Sequence, residues 1–388
     1  MKKSVPLISA ASILLFGALL ALACNVPVFR YALERWPADA YQVIVFHQGP
    51  LAPDDLALVK MLEKGAESRE APPNVVFQAV DLAKETDPEL RKIFQNQSKV
   101  ELPWMVVRYP DGRPVWFGRL QPEIVRSLYD SPTRRELAKR VLAGETAVFV
   151  LLESGDHEKD DGAASLLECQ LPELAKVLKL PDLSDDPADK INEGGPPLKI
   201  AFSWLRVSRS DPAERMLVEM LLHADPEEDL SDRKEPMVYP VFGRGRSLWP
   251  QIGLGINARN IEDDGAFLVG PCSCTVKRMN PGFDLLLAVD WDSRLPGRFS
   301  KEPDRPKLQG LSTFVPPNQE LAPEPRLAWG DGELAPEPRV FIPAYPPASL
   351  PPANSPVLRN ILLAGLAGLV ILTVATLVLL SKDRSRTR

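Results

Sequence analysis

The run Leu102-Pro103-Trp104-Met105-Val106-Val107-Arg108 leads into Pro110-Asp111-Gly112 and then Val115-Trp116-Phe117. A proline, a β-branched and aromatic run, a Pro-Asp-Gly turn and a second such run predict two antiparallel strands joined by a tight turn. Upstream, Tyr41-Gln42-Val43-Ile44-Val45-Phe46 and Asn74-Val75-Val76-Phe77-Gln78-Ala79-Val80 have the same strand composition. Between them Pro53-Asp54-Asp55 opens a helix with Leu56, Val59, Met61 and Leu62 as its apolar positions, since proline and acids suit a helix's first turn. Asp87-Pro88 opens another, with Leu90, Ile93 and Phe94 on one face. A last helix starts near Pro122. Strands joined through a helix pair in parallel with a right-handed crossover, and the hairpin adds an antiparallel edge.

This order, over 40–145, resembles the thioredoxin fold, and Pro103 stands where that family places its cis-proline. The resemblance implies a cis Leu102–Pro103 bond. It does not imply the family's redox activity. The dithiol of thioredoxins follows the first strand, and here that stretch is Phe46-His47-Gln48-Gly49-Pro50-Leu51-Ala52-Pro53, without cysteine. With no thiolate there is no dithiol exchange. His47 has no nucleophile beside it and reads as structural.

The stretch 146–292 is expected to be a second α/β domain, either thioredoxin-like again or a different α/β sandwich leaning on the first. Strands are expected at Ala147–Leu152, Leu198–Val207 and Met237–Phe242. Helices are expected from Gly162 to about Lys179, with a break near Pro172, after Ser210-Asp211-Pro212, and from about Ala258 to Leu268. Pro240 is a second, weaker cis-proline candidate. The acidic stretches Asp156–Asp161, Asp182–Asp189 and Asp225–Glu235 lack the spacing of calcium loops and read as solvated linkers.

Both ends of the chain point to a membrane. Ile361–Leu380 is twenty uncharged, mostly aliphatic residues, enough at ~1.5 Å each to cross a ~30 Å hydrocarbon layer. We read 357–381 as a transmembrane helix and the basic tail 382–388 as cytoplasmic. At the other end, 1–24 reads as a signal peptide or membrane anchor. Met1-Lys2-Lys3 precedes an apolar run, and Ala21-Leu22-Ala23-Cys24 partly matches a lipobox. Lipidation of Cys24, simple cleavage and an uncleaved anchor all remain open. The bulk of the chain is then extracytoplasmic. Fifteen of forty prolines fall between Pro296 and Pro356, where Glu320–Arg326 recurs as Glu333–Arg339. Proline fixes φ and removes donors, so 293–356 reads as an extended linker.

Chemistry is sparse. The formal net charge of −6 removes the electrostatic case for nucleic-acid binding. Cys272-Ser273-Cys274 could hold a soft metal such as copper, form a redox-active disulfide, or be structural with one thiol bonded to Cys169. In an extended strand the i and i+2 alpha carbons lie ~6.6 Å apart, at the outer limit for a disulfide. His47, His157 and His223 are remote in sequence. The Gly-Arg-Gly-Arg run at 243–246 and Asn257 make Arg244, Arg246 and Asn257 candidates for a ligand or partner surface. Cys24–Trp36 and Pro240–Asp284 are similar to an uncharacterised family of bacterial envelope proteins of planctomycete type, which supports an envelope location and implies no activity. The expectation is a non-catalytic, membrane-anchored scaffold or interaction subunit with an envelope protein partner. The alternative is thiol–disulfide or copper handling by Cys272 and Cys274.

Overall fold

The computed structural model describes residues 24–272 and 276–295. The expectations for 1–23, for Cys274, for most of the Pro-rich linker, for the transmembrane helix and for the basic tail lie outside the described residues. Among the described residues no helix is long and apolar enough to cross a membrane. Both sheets below belong to one compact unit.

The first sheet contains β1 (Tyr41–His47), β2 (Val75–Asp81), β3 (Trp104–Arg108) and β4 (Pro114–Arg119) in the order β2-β1-β3-β4. β1 is parallel to β2 and antiparallel to β3, and β4 returns antiparallel on β3. Helix α1 (Val28–Arg35) precedes the sheet; α2 (Pro53–Ala66) joins β1 to β2, and α3 (Pro88–Gln95) joins β2 to β3. α4 (Pro122–Tyr129) and α5 (Pro132–Leu142) follow β4. Starts are set locally. Asp87 accepts the Glu89 N–H at 2.8 Å, and the Ser131 hydroxyl accepts the Arg134 N–H, each relieving a donor with no intrahelical partner. The Leu102–Pro103 bond is cis.

The second sheet contains β5 (Ala147–Leu152), β6 (Phe202–Val207), β7 (Met237–Phe242), β8 (Arg246–Ser247), β9 (Gln251–Ile252) and β10 (Phe283–Asp284). Its order is β10-β8-β7-β5-β6, with β9 also on β7. β5 is parallel to β6 and antiparallel to β7, and β8 is antiparallel to β7. The four strands β6-β5-β7-β8 thus repeat the order and directions of β2-β1-β3-β4. α6 (His157–Val177) joins β5 to β6, α7 (Arg215–Leu222) joins β6 to β7, α8 (Ala258–Val269) follows β9, and α9 (Trp291–Arg294) ends the described chain.

Three expectations for this half are corrected. α6 starts at His157 because Asp156 caps it by accepting the Glu158 and Lys159 N–H groups, and it runs unbroken through Pro172. The stretch 156–161, read as a solvated linker, is therefore a helix start. β6 begins at Phe202 rather than Leu198. Pro240 is not a cis-proline: among the described residues only Leu102–Pro103 is cis, and Pro240 lies inside β7 opposite Phe149. Its carbonyl accepts from Leu248 N at 3.0 Å.

Side-chain alternation explains the layering. On β1, Tyr41, Val43 and Val45 point one way; on β5, Val148, Val150 and Leu152 do; on β7, Met237, Tyr239 and Val241 do. All nine are buried in one cluster that spans the two sheets. The opposite faces of β5 and β7, with Phe149, Leu151 and Phe242, pack against α1, α6 and α8. The opposite face of the first sheet, with Ile44, Phe46 and Val106, packs with Phe94 and Ile93 of α3. Strand side chains alternate with period two, so each sheet feeds two cores, and the middle core is common to both. Fully burying such a side chain stabilises by roughly 1.5–3 kcal/mol.

The chain ends stitch the sheets together. α1, first in sequence, packs on the second sheet. The segment after β10 returns to the first sheet, where Pro73 bridges Ala288 and Asn74 N–H donates to Leu287 O.

Candidate functional site

The loop where thioredoxins carry their dithiol is closed by a carboxylate. After β1, Gly49 adopts φ +68°, a left-handed conformation suited to glycine. Its N–H donates to Asp81 Oδ1 at 3.0 Å, and Ala83 N–H donates to the same oxygen at 3.1 Å. These two amides hold the Asp81 carboxyl below the usual carboxylate range. His47 Nδ1 lies 2.9 Å from Gly49 O, so the imidazole is tied to its own loop.

The corresponding loop of the second sheet, after β5, uses Asp160 in the same way. Asp160 is buried and accepts from Ser154 N (2.7 Å), Ser154 Oγ (2.8 Å) and Gly155 N (2.9 Å). A buried carboxylate with three donors needs no further partner. Neither loop holds a cysteine, and the Ser154 hydroxyl is spent on Asp160, a buried carboxylate that also holds two backbone amides.

The residues singled out in 240–280 are placed as follows. Arg246 is 6% exposed. It donates to the carbonyls of Asn280 (2.7 Å), Pro281 (3.2 Å) and Gly282 (3.0 Å) and pairs with Asp284 at 3.2 Å. Arg244 donates to Leu33 O at 2.9 Å and reaches Asp292 at 3.2 Å; burial pulls its pKa down. Asn257 is the N-cap of α8, accepting Asn260 N–H at 3.0 Å. All three spend hydrogen bonds inside the fold. Leu254, at the tip of the Gly253–Gly255 turn, is 99% exposed.

Cys272 is 1% exposed and packs in the cluster of α1, α6 and α8. Cys24, also buried, joins the same cluster, and its thiol donates to Ala188 O at 3.3 Å. Cys169 is exposed on α6, and neither Cys24 nor Cys169 makes a disulfide among the described residues. His157 begins α6, and His223 Nδ1 lies 2.9 Å from Glu219 O. No group of three or more metal-ligating side chains converges among the described residues.

One groove of about 600 Å³ was not anticipated. It lies between α4–α5 and the segment that returns after β10, and Tyr129, Asp130, Arg135, Lys139, Val289 and Arg294 help line it. Its floor includes Arg134, a buried guanidinium that donates to Leu128 O at 2.8 Å, Leu286 O at 3.1 Å and Ser127 O. Burial lowers the Arg134 pKa to about 10, the Glu214 carboxylate opposing that shift. The sequence signal for it was the basic run Arg134-Arg135…Lys139-Arg140. The far wall comes from 150 residues downstream and has no local signal.

Two sheets of one strand order, the first with its cis-proline and both without the dithiol, define a mixed α/β protein of thioredoxin-like fold. No family model matches the chain, and no curated protein matches it. Among solved structures, full-length ERdj5 is similar at 13% identity and a TM-score of 0.18, over 65% of this chain and 33% of that one. The first two thioredoxin domains of Naumovozyma dairenensis Eps1p are similar at 12% identity and a TM-score of 0.17, over 61% and 93%. The chain therefore spans about a third of the ERdj5 chain. The fold assignment rests on strand order and direction.

Proposed function

We propose that this protein is a non-catalytic interaction or scaffold subunit, held at the membrane with its folded mass extracytoplasmic and bound to an envelope protein partner. The observation that carries the reading is the pair of sealed loops. Where a thioredoxin presents two thiols, this chain presents Asp81 and Asp160, each turned inward onto backbone amides. A thioredoxin frame without its chemistry retains surfaces for binding. The membrane part of the reading comes from Ile361–Leu380 and the basic tail, and the envelope part from the resemblance of Cys24–Trp36 and Pro240–Asp284 to planctomycete-type envelope proteins. The rival reading, thiol or copper handling by Cys272 and Cys274, has less support because Cys272 is buried and is not among the residues lining the groove described above.

The test is affinity purification of the full chain from detergent-solubilised membranes, together with a reporter fused after Arg388. A stoichiometric partner and a cytoplasmic reporter are expected. A chain that washes off membranes alone and freely soluble sinks the proposal.

A further inference from the structure

β2 is an outer strand of the first sheet, and its outer edge is open. In a parallel pair, alternate residues of each strand turn both N–H and C=O towards the neighbour. Asn74 O accepts from Tyr41 N, and Leu82 N donates to His47 O, so in this register the even-numbered residues of β2 serve β1. Phe77 and Ala79 turn their N–H and C=O outward. No backbone hydrogen bond reaches either from that side among the described residues. The returning segment 287–289 pairs through Asn74 N–H and Pro72 O, even-numbered positions again, and leaves the outer edge uncovered.

Two other edges are guarded. On β6, Arg140 donates to Trp204 O at 3.1 Å. β4 starts at Pro114 and has α7 against it. β2 has no such device. Val75-Val76-Phe77-Gln78-Ala79-Val80 is uncharged and lacks proline and glycine. Val76 is 60% exposed, and Gln78 and Ala79 are exposed too. A β-prone edge without charge, proline or cover is a template for another strand.

We propose that β2 pairs antiparallel with β2 of a second copy of this chain, about a two-fold axis at Gln78. The segment is complementary to itself in that register. Phe77 stands opposite the partner's Ala79, and each donates its N–H to the other's C=O; the axis repeats both bonds with the roles exchanged. Gln78 faces its own copy, amide to amide. Val76 meets the partner's Val80 on the same face, and Asp81 falls opposite the partner's Val75, so no like charges oppose. Centring the pair on Phe77 instead would call on Val75 N–H, which is already given to Pro73 O. The two sheets join as β4-β3-β1-β2-β2-β1-β3-β4, and the two-fold closes the assembly at two chains. A single strand pair is a small interface, so the dimer exchanges with the monomer. The pairing uses the folded unit alone and does not depend on the membrane placement proposed above.

The test uses the full chain in detergent at tens of micromolar, with Cys169→Ser removing the exposed thiol. Gln78→Cys sets two sulfurs across the axis at a non-hydrogen-bonded pair, with alpha carbons ~4.5 Å apart and within disulfide reach. Oxidation with copper–phenanthroline should double the mass on a non-reducing gel, and trypsin should release Glu70–Lys84 linked to itself. Val76→Cys, distant from its own copy in this register, should link no more than Cys169→Ser alone. Gln78→Lys puts like charges face to face and should take the two-chain mass of the parent in sedimentation to a one-chain mass at an unchanged melting temperature. Where Gln78→Lys melts early, Ala79→Pro takes its place, because it removes only an outward N–H. A parent that sediments as one chain, no link in Gln78→Cys, an equal link in Val76→Cys, or a two-chain mass that persists in the folded edge variant overturns the proposal.

Discussion

Arg30 and Glu34, one turn apart on α1, meet at 2.6 Å with both side chains 2% exposed. The pair is a joint between α1 and the loop beyond α6: Arg30 also donates to Asn192 O at 3.1 Å and to Pro196 O, and Glu34 accepts Asn192 N–H at 2.9 Å. Removing one partner of such a pair strands a charge in the interior. Glu34→Gln should lower stability by ~3–5 kcal/mol. Urea unfolding should show a lower midpoint at unchanged slope. Replacing both residues by apolar ones should cost less than Glu34→Gln alone.

Asp264 on α8 gives the fold a pH dependence. Burial raises its pKa to about 7, against the hydrogen bond donated by Gln251 Nε2. An unfolded aspartate titrates near ~3.9, so between the two values the folded state binds a proton that the unfolded state does not. This contribution to stability is fully present below about pH 4 and is lost as pH rises through about 7. Gln251 Oε1 is buried without a partner, and an asparagine at 264 would offer it an N–H. Asp264→Asn should therefore be more stable than the parent at pH 8, by roughly 1–2 kcal/mol after allowing for partial solvent screening. The difference should shrink towards pH 4 in thermal melts recorded across that range.

Gly282 sits at φ +104°, and a Cβ there would collide with the Ser247 carbonyl. Its own carbonyl accepts from Arg246. Gly282→Ala should part β8 from β10, costing on the order of 2–3 kcal/mol from strain and lost packing. The readout is a lower melting temperature with faster hydrogen exchange at Leu285 N–H, which donates to Gly245 O.

Asp160 should matter for shape rather than chemistry. Asp160→Ala leaves Ser154 and Gly155 amides unpaired, at about 1–3 kcal/mol for the buried donors. Exchange protection should fall at those two amides first. If thiol–disulfide or hydrolytic activity is found in the parent and vanishes in Asp160→Ala, the carboxylate has a role beyond closing its loop.

Much of the first half was legible because its signals are local. Pro53, Asp87 and the Pro-Asp-Gly turn mark element ends within a few residues, and the runs between them alternate or repeat at helical spacing. The second half hid two things. Asp156 reads as one acid among several, and only its two amide partners reveal a helix cap. Arg244 and Arg246 look like free cations in a glycine-rich turn; their partners, Leu33 O, Asp292 and the 280–282 carbonyls, lie 34–211 positions away. The far wall of the groove was invisible for the same reason. Periodicity assigns faces to elements, but it does not say which distant segment covers a face.

The backbone pairing of Val26 and Val28 with Cys272 and Gly270 sets a timetable for biogenesis. Ribosomes make the α1 segment first and its partner some 240 residues later. Phe149 and Phe242, which share its apolar cluster, emerge in between, so the helix is covered in stages. The strand-like pairing with Gly270 and Cys272 is the last of these contacts to become available, so it closes a cluster that earlier segments have already begun.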